Sequence, residues 1–359
     1  SRWQVLVPES DAVLNEWVVQ GDSLVLAYTR GLDAALVELP LGGGLHSIPP
    51  LPRDLPLPAG GELGELTTDR AGRHALFSFS GYRTPPAIFL RSGTADPAPI
   101  VRVTTDVDLE SFDYEVVHVR SADGTQVPMQ LLSRRGMARD GNNPVLLYGY
   151  GGFNVSLLPA FQRNLLYWLE RGGVYAVANL RGGGELGEAW HRAGSRENKE
   201  RVFEDFEACI RYLRETNISR PARIAITGGS YGGYMSLATA VDYSPQIRSA
   251  IDVVGISHFT TFLNNTESYR RDLRRVEYGD ERDPAMRAFH EKIAPLNNAA
   301  AIAVPLFVVQ GKNDPRVPYT EAQQIVSAVR KNNVPVWYLL ADNEGHGFRR
   351  KANADFEFY

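Results

Sequence analysis

Three well-separated side chains, Ser230, Asp314 and His346, give this sequence its most specific chemistry. Ser230 lies in Gly228-Gly229-Ser230-Tyr231-Gly232, a G-x-S-x-G spacing. The apolar run Ile224-Ala-Ile226 enters this corner, and a small-residue, helix-like run leaves it towards Ala240. A strand that turns sharply into a helix brings backbones too close for Cβ atoms and calls for positive φ, which glycine tolerates. The turn lifts the serine hydroxyl above a sheet edge, with backbone N–H groups pointing at the same space, as in a nucleophile elbow. A bare five-residue match with three glycines also arises by chance. The strand before and the helix after are the context that the motif requires.

A serine needs a base to become a nucleophile, and the base needs an orienting carboxylate. Asp314 follows the apolar run Pro305-Leu-Phe-Val-Val309, and His346 lies between two glycines after Val336-Trp-Tyr-Leu-Leu340. Taken singly, Asp314 reads as a turn cap before Pro315 and His346 as a loop histidine. Taken together they follow the chain order Ser, acid, His of α/β-hydrolases, each just past a strand. Asp342 shares the loop of His346 and is the weaker candidate acid. His191, His258 and His290 fall out of order, and His46 and His74 are isolated. The oxyanion of acyl transfer needs preorganised donors. The Tyr231 N–H is one candidate. The glycine-rich stretch Gly149-Tyr-Gly-Gly-Phe-Asn154 supplies Tyr150 as another, with a surface aromatic as the plainer reading.

These residues must be positioned by a sheet. From residue 113 onwards, strand-like segments alternate with helix-like ones around 160–171, 202–214, 231–242 and 319–331. That pattern predicts a doubly wound, mainly parallel α/β sheet with its ligand site at the carboxyl edge. Two strands flanking Ala122-Asp-Gly-Thr125 read as a hairpin opening this domain. Residues 1–112 read instead as short strands separated by Gly, Pro and Asp. Stretches 13–48 and 62–103 each hold about four, which predicts two blades of a β-propeller, or a small β-sandwich. A propeller needs at least about four blades to close, so the chain is expected to be a piece of a longer one. The proline-rich stretch 49–58 reads as a connecting loop.

Composition narrows the function classes. The chain has 359 residues, enough for two domains, and a net charge of -4 that gives no basic footprint for nucleic acid. No apolar run approaches a membrane span, and nothing resembles a signal peptide, so a cytoplasmic location is the expectation. Cys209 is the only cysteine, which excludes an intrachain disulfide and a cysteine-based metal site. Its helical-period surroundings predict a buried structural thiol. No cofactor or metal is expected.

The chain resembles the prolyl oligopeptidase family of serine peptidases over roughly residues 113–359. The resemblance rests on Leu147-Tyr-Gly-Tyr-Gly-Gly-Phe153, Ala178-Asn-Leu-Arg-Gly-Gly-Gly-Glu-Leu-Gly187, Gly228–Gly233, Asn313-Asp-Pro-Arg-Val317 and Gly345-His-Gly347. The first two segments are similar to the prolyl oligopeptidase and oligopeptidase B branches. The elbow is closer to the dipeptidyl and acylaminoacyl peptidase branch. The family pairs an α/β-hydrolase domain with an N-terminal β-propeller that restricts access to short peptides. The resemblance implies Ser230, Asp314 and His346 as triad, Tyr150 with the Tyr231 N–H as oxyanion hole, and Arg316 as holder of a substrate carbonyl. It implies Phe153 and Val317 as apolar neighbours of the specificity pocket. The plainer readings are an ion pair for Arg316 and ordinary packing for the other two. Family members continue past His346 into a final helix, which this chain is expected to lack.

The implied function is hydrolysis of short peptides through an acyl-enzyme. A carboxylesterase acting on small acyl esters and a non-catalytic binding protein on the same fold are the alternatives. The stretch Asn264–Gly279, expected to supply the pocket wall, holds no tryptophan, the residue on which prolyl oligopeptidase stacks proline. Its arginines also fit a solvated helix face. The paired glutamates by which dipeptidyl peptidases hold a free amino terminus are not identifiable. The residue preferred at the scissile bond, endo- or exopeptidase action, and oligomeric state are left open.

Overall fold

A computed structural model describes residues 5–42 and 51–358. His46 and the end of the first blade-like stretch lie outside the described residues. The chain divides into two compact units. The first comprises Ser1–Tyr114 with Ser156–Tyr167 and Glu185–Gly187, and the second comprises the remainder.

The first unit is built from short strands that alternate apolar and polar side chains. β1 (Val13–Gln20), β2 (Ser23–Arg30), β3 (Asp33–Pro40) and β4 (Arg53–Leu55) form one four-stranded antiparallel sheet in that order. β5 (Glu62–Thr68), β6 (His74–Gly81), β7 (Thr84–Ser92) and β8 (Ala98–Arg102) form another. This is a β-rich, propeller-like pair of four-stranded sheets. Val25, Ala27, Leu36 and Leu55 of the first sheet share one buried cluster with Phe77, Phe79 and Phe89 of the second. Arg91 fastens the two polar ends together. Its guanidinium donates to Glu38 Oε1 at 2.6 Å and to Gln20 Oε1 at 2.5 Å, and it is itself buried.

The fourth strand of the first sheet corrects the reading of residues 49–58 as loop. Leu36, Val37 and Glu38 pair with Leu55, Asp54 and Arg53. Leu55 is buried, and Arg53 bonds Glu38 at 3.1 Å. An edge strand of three residues needs few ladder donors, so flanking prolines do not prevent it.

The second unit holds an eight-stranded sheet among the described residues. β9 (Phe112–Arg120), which begins at the unit boundary, and β10 (Gln126–Arg134) form the predicted opening hairpin strands. β11 (Val145–Gly149), β12 (Val174–Ala178), β13 (Ile224–Gly229), β14 (Ser249–Val253), β15 (Leu306–Gly311) and β16 (Val336–Ala341) follow. The order is β16-β15-β14-β13-β11-β12-β10-β9, parallel from β16 through β12 and antiparallel between β12 and β10. Strands such as Val-Tyr-Ala-Val-Ala are buried end to end, as a sheet covered on both faces requires.

The helices are α1 (Arg163–Glu170), α2 (Glu188–Arg192), α3 (Glu200–Glu215), α4 (Tyr231–Tyr243), α5 (Phe259–Asn265), α6 (Arg271–Tyr278), α7 (Pro284–Ile293), α8 (Tyr319–Val329) and α9 (Lys351–Phe358). The four predicted helices correspond to α1, α3, α4 and α8. α3 buries Val202, Phe203, Phe206, Cys209, Ile210 and Leu213, so the lone cysteine is a core side chain. No helix among the described residues is long and apolar enough to cross a membrane.

Candidate active site

The corner at Ser230 is set by steric exclusion. A Cβ on Gly228 would overlap the Gly232 carbonyl oxygen, and one on Gly232 would meet the Gly149 oxygen at 2.5 Å. Ser230 itself adopts φ 56° and ψ -114°, a region that costs a non-glycine residue on the order of 1–3 kcal/mol. Its N–H donates to the Val253 carbonyl at 2.8 Å, and its carbonyl accepts from Tyr234 at 3.2 Å. Serine at a helix N-cap usually spends its hydroxyl on the first-turn amides. Here the Ser230 hydroxyl makes no such bond. The Ser230 side chain is near enough to the Tyr150 phenol to lower its proton affinity slightly.

Asp314 and His346 come from the loops after β15 and β16, on the same carboxyl edge. His346 Nδ1 and Asp314 Oδ2 are 2.6 Å apart. Asp314 Oδ1 accepts the backbone N–H groups of Arg316 at 2.8 Å and Val317 at 3.0 Å, and Gln310 Nε2 approaches Oδ2 at 3.3 Å. A carboxylate paired with an imidazole accepts from its N–H, which puts a proton on Nδ1. Asp342 is exposed and pairs with Lys312 at 2.8 Å, away from the imidazole. The structure thus joins Asp314 to His346. It forms no hydrogen bond between Ser230 and His346.

Tyr150 and Tyr231 meet edge to face with centroids 5.7 Å apart. Burial, with Tyr148 and Glu277 adding to it, pushes the Tyr150 phenol up to about 12. The phenol therefore remains a donor throughout the range in which proteins are assayed. Tyr231 opens α4, where backbone N–H groups have no partner within the helix. Arg316 projects into solvent, while Val317 is buried in the core. Phe153, at φ 54°, packs edge-on against Tyr231 (6.2 Å) and Tyr278 (5.3 Å).

Several residues of this region had no signal in the sequence. Lys199 is fully buried, with Nζ 4.7 Å from the Tyr231 ring centroid and 5.0 Å from that of Tyr278. It donates to Glu277 Oε1 at 3.3 Å, and Glu277 Oε2 meets His191 at 2.7 Å. Burial pulls the Lys199 ammonium down, against the pull of Glu277. His290 and His258 are likewise structural, bonded to the Tyr278 carbonyl (2.7 Å) and to Glu291 (3.0 Å). Behind the Arg-Gly-Gly-Gly-Glu segment, Arg181 grips Asp205 of α3 through Nη2 (2.6 Å) and Nε (2.9 Å). It also reaches Asp123 and Ser121 in the β9–β10 turn at 2.5 and 3.3 Å. Gly182, next in the chain, accepts from Asn154 at 3.1 Å and so ties this knot to the Tyr150 loop.

Asp252, at the end of β14, lies against Gly233 and Gly255 beneath the elbow. It is wholly buried, and neither oxygen has a partner with full hydrogen-bond geometry. Burial raises its carboxyl from 3.8 to about 7; the Gly255 N–H opposes the shift and Glu321 adds to it. A carboxyl raised on folding costs nothing below its unfolded pKa and destabilises increasingly up to the folded one. The cost reaches on the order of 4 kcal/mol above about pH 7. Asp252→Asn is therefore expected to raise the melting temperature at pH 8 and to leave it nearly unchanged near pH 4. A pH-independent shift in thermal melts would contradict this.

With the geometry in hand, comparisons place the chain among known proteins. The family model described as "Prolyl oligopeptidase family" matches residues 159–359. A prolyl endopeptidase of Elizabethkingia miricola is 32% identical over 307 residues, covering 84% of this chain and 43% of that protein. A solved prolyl endopeptidase superposes with a TM-score of 0.85 at 32% identity, covering 95% of this chain and 50% of the other. A post-proline cleaving enzyme from Rickettsia typhi gives 0.86 at 27% identity, covering 96% and 49%. The chain spans about half the length of these relatives.

Proposed function

We propose, from the premise that this chain belongs to the prolyl oligopeptidase family, that it carries the catalytic centre of a serine peptidase acting on short peptides. The observation that carries the reading is the Asp314–His346 pair, on the same sheet edge as a serine held in a strained corner with its hydroxyl uncommitted to helix capping. Ser230 Oγ attacks the scissile carbonyl carbon while His346 Nε2 takes its proton. Asp314 holds the imidazole in the required tautomer. The oxyanion is met by the Tyr150 hydroxyl and the Tyr231 N–H. Collapse breaks the C–N bond, and His346 returns the proton to the leaving amine. Water, deprotonated by the same imidazole, then frees the acyl group from Ser230. The exposed Arg316 is suited to donate to a carbonyl of the bound peptide, and Phe153 with Val317 supports the apolar wall beside it.

A fluorophosphonate probe is expected to label Ser230 in the folded full-length protein. Failure to label would favour a binding protein on this fold. Peptide amides should be cleaved as well as aryl esters; cleavage of esters alone would favour the carboxylesterase reading. Tyr150→Phe removes one oxyanion donor and should lower kcat on the order of 10²–10³-fold with KM little changed. A loss under about threefold would remove Tyr150 from that role.

A further inference from the structure

Arg274 of α6 combines burial, at 9% exposure, with the lack of any hydrogen bond or ion pair among the described residues. Its guanidinium lies over the Phe262 ring, 4.4 Å from the centroid. Phe262 meets Tyr278 edge-on at 6.0 Å, and Tyr278 reaches Phe153 at 5.3 Å and Tyr231 at 5.9 Å. The cation thus belongs to the aromatic wall that runs to the residue beside Ser230. It also senses Asp314 favourably and Arg316 unfavourably.

The carboxylates that sense it, Asp314 and Glu267, form their ion pairs or hydrogen bonds with other groups. Asp314 is taken by His346 and two backbone N–H groups. Glu267 bonds Arg270 at 3.1 Å, and Glu277 bonds His191 and Lys199. Burial drags the Arg274 guanidinium down, and Arg270 and Arg316 repel it further. A partly desolvated charge without an ion-pair partner is costly, though less so than a fully buried one. A second guanidinium nearby raises the cost, and an anion arriving from outside would relieve it.

We propose that Arg274 is a specificity-determining residue that pairs with a substrate carboxylate, favouring glutamate or aspartate on the acyl side of the scissile bond. This rests on the serine peptidase reading. A guanidinium with no ion-pair partner of its own fits the carboxylate of an acidic residue. A proline ring offers it no charge.

The test measures kcat/KM of the full-length protein on blocked peptide p-nitroanilides differing only in the acyl-side residue: Glu, Gln, Pro or Lys. Glu is expected to exceed Gln by at least about tenfold. Arg274→Met should erase that ratio by lowering Glu turnover, with Ser230 still labelled by the fluorophosphonate. Arg274→Lys should keep part of it, and Arg274→Glu should move the preference towards Lys. A Glu:Gln ratio near one in the native protein, or one unmoved in Arg274→Met, overturns the proposal. Unlabelled Ser230 together with no hydrolysis of any peptide would instead overturn the peptidase reading, and this one with it.

Discussion

Replacing Ser230 by alanine is expected to lower kcat by roughly six orders of magnitude while leaving the fold intact. In the proposed mechanism the serine contributes its hydroxyl to the reaction and its backbone to the corner, and alanine keeps the backbone. Positive φ burdens alanine as it burdens serine. The hydroxyl caps no helix, so its removal leaves no first-turn amide unsatisfied. His346→Ala should cost about as much, and the double variant little more than either, because the groups act as one unit. Asp314→Asn should cost about four orders, since an amide donating to Nδ1 forces the wrong tautomer. Peptide hydrolysis by full-length variants checks all of these. A Ser230→Ala enzyme within a hundredfold of native would remove Ser230 as nucleophile, and additive losses would mean that the three do not work together.

Arg181→Met is expected to destabilise the second unit by about 3–5 kcal/mol, the cost of stranding a buried carboxylate. Asp205 is 0% exposed, and its two oxygens face the Arg181 side chain, the Arg181 N–H and the Ser121 hydroxyl. Burial alone would lower the guanidinium's proton affinity, but Asp205 and Asp123 override it and raise it. Methionine fills the volume but leaves Asp205 with one hydroxyl and one amide. The double variant Arg181→Met with Asp205→Leu should recover much of the loss, because it removes both charges. Urea midpoints of the three proteins measure this. A single variant within about 1 kcal/mol of native would mean that water reaches Asp205 in its place.

The contrast between those two sites explains what the sequence made legible. The placement of Ser230, Asp314 and His346 was readable because each stands just past an apolar strand. The strands were readable for the same reason, being short apolar runs with polar punctuation. Sheet order was not, because it depends on crossovers that place β11 between β12 and β13. The stretch from α5 to α7 was opaque because α6 contradicts its own periodicity. Leu273 and Val276 are 66% and 60% exposed, while Arg274 and Glu277 turn inward. An amphipathic reading therefore predicts the opposite face, and the solvated-arginine expectation fails for Arg274, while Arg270 is half-buried and paired with Glu267. Lys199 and Glu277 lie 78 positions apart and meet only through the tertiary fold. Strand β4 was hidden by the prolines around it.

The Tyr231 ring carries one more consequence. It is 0% exposed and packed between the rings of Tyr150, Tyr234 and Tyr278, with Lys199 over one of its faces. The residue bonded to Ser230 is thus a full member of the core. The corner has no private way to loosen, since withdrawing this ring would open the interior. Amide exchange at Tyr231–Tyr234 should be as slow as in the central strands. On heating, the corner at Ser230 should persist until the surrounding domain melts and then vanish with it, with no folded stage in which it alone is lost.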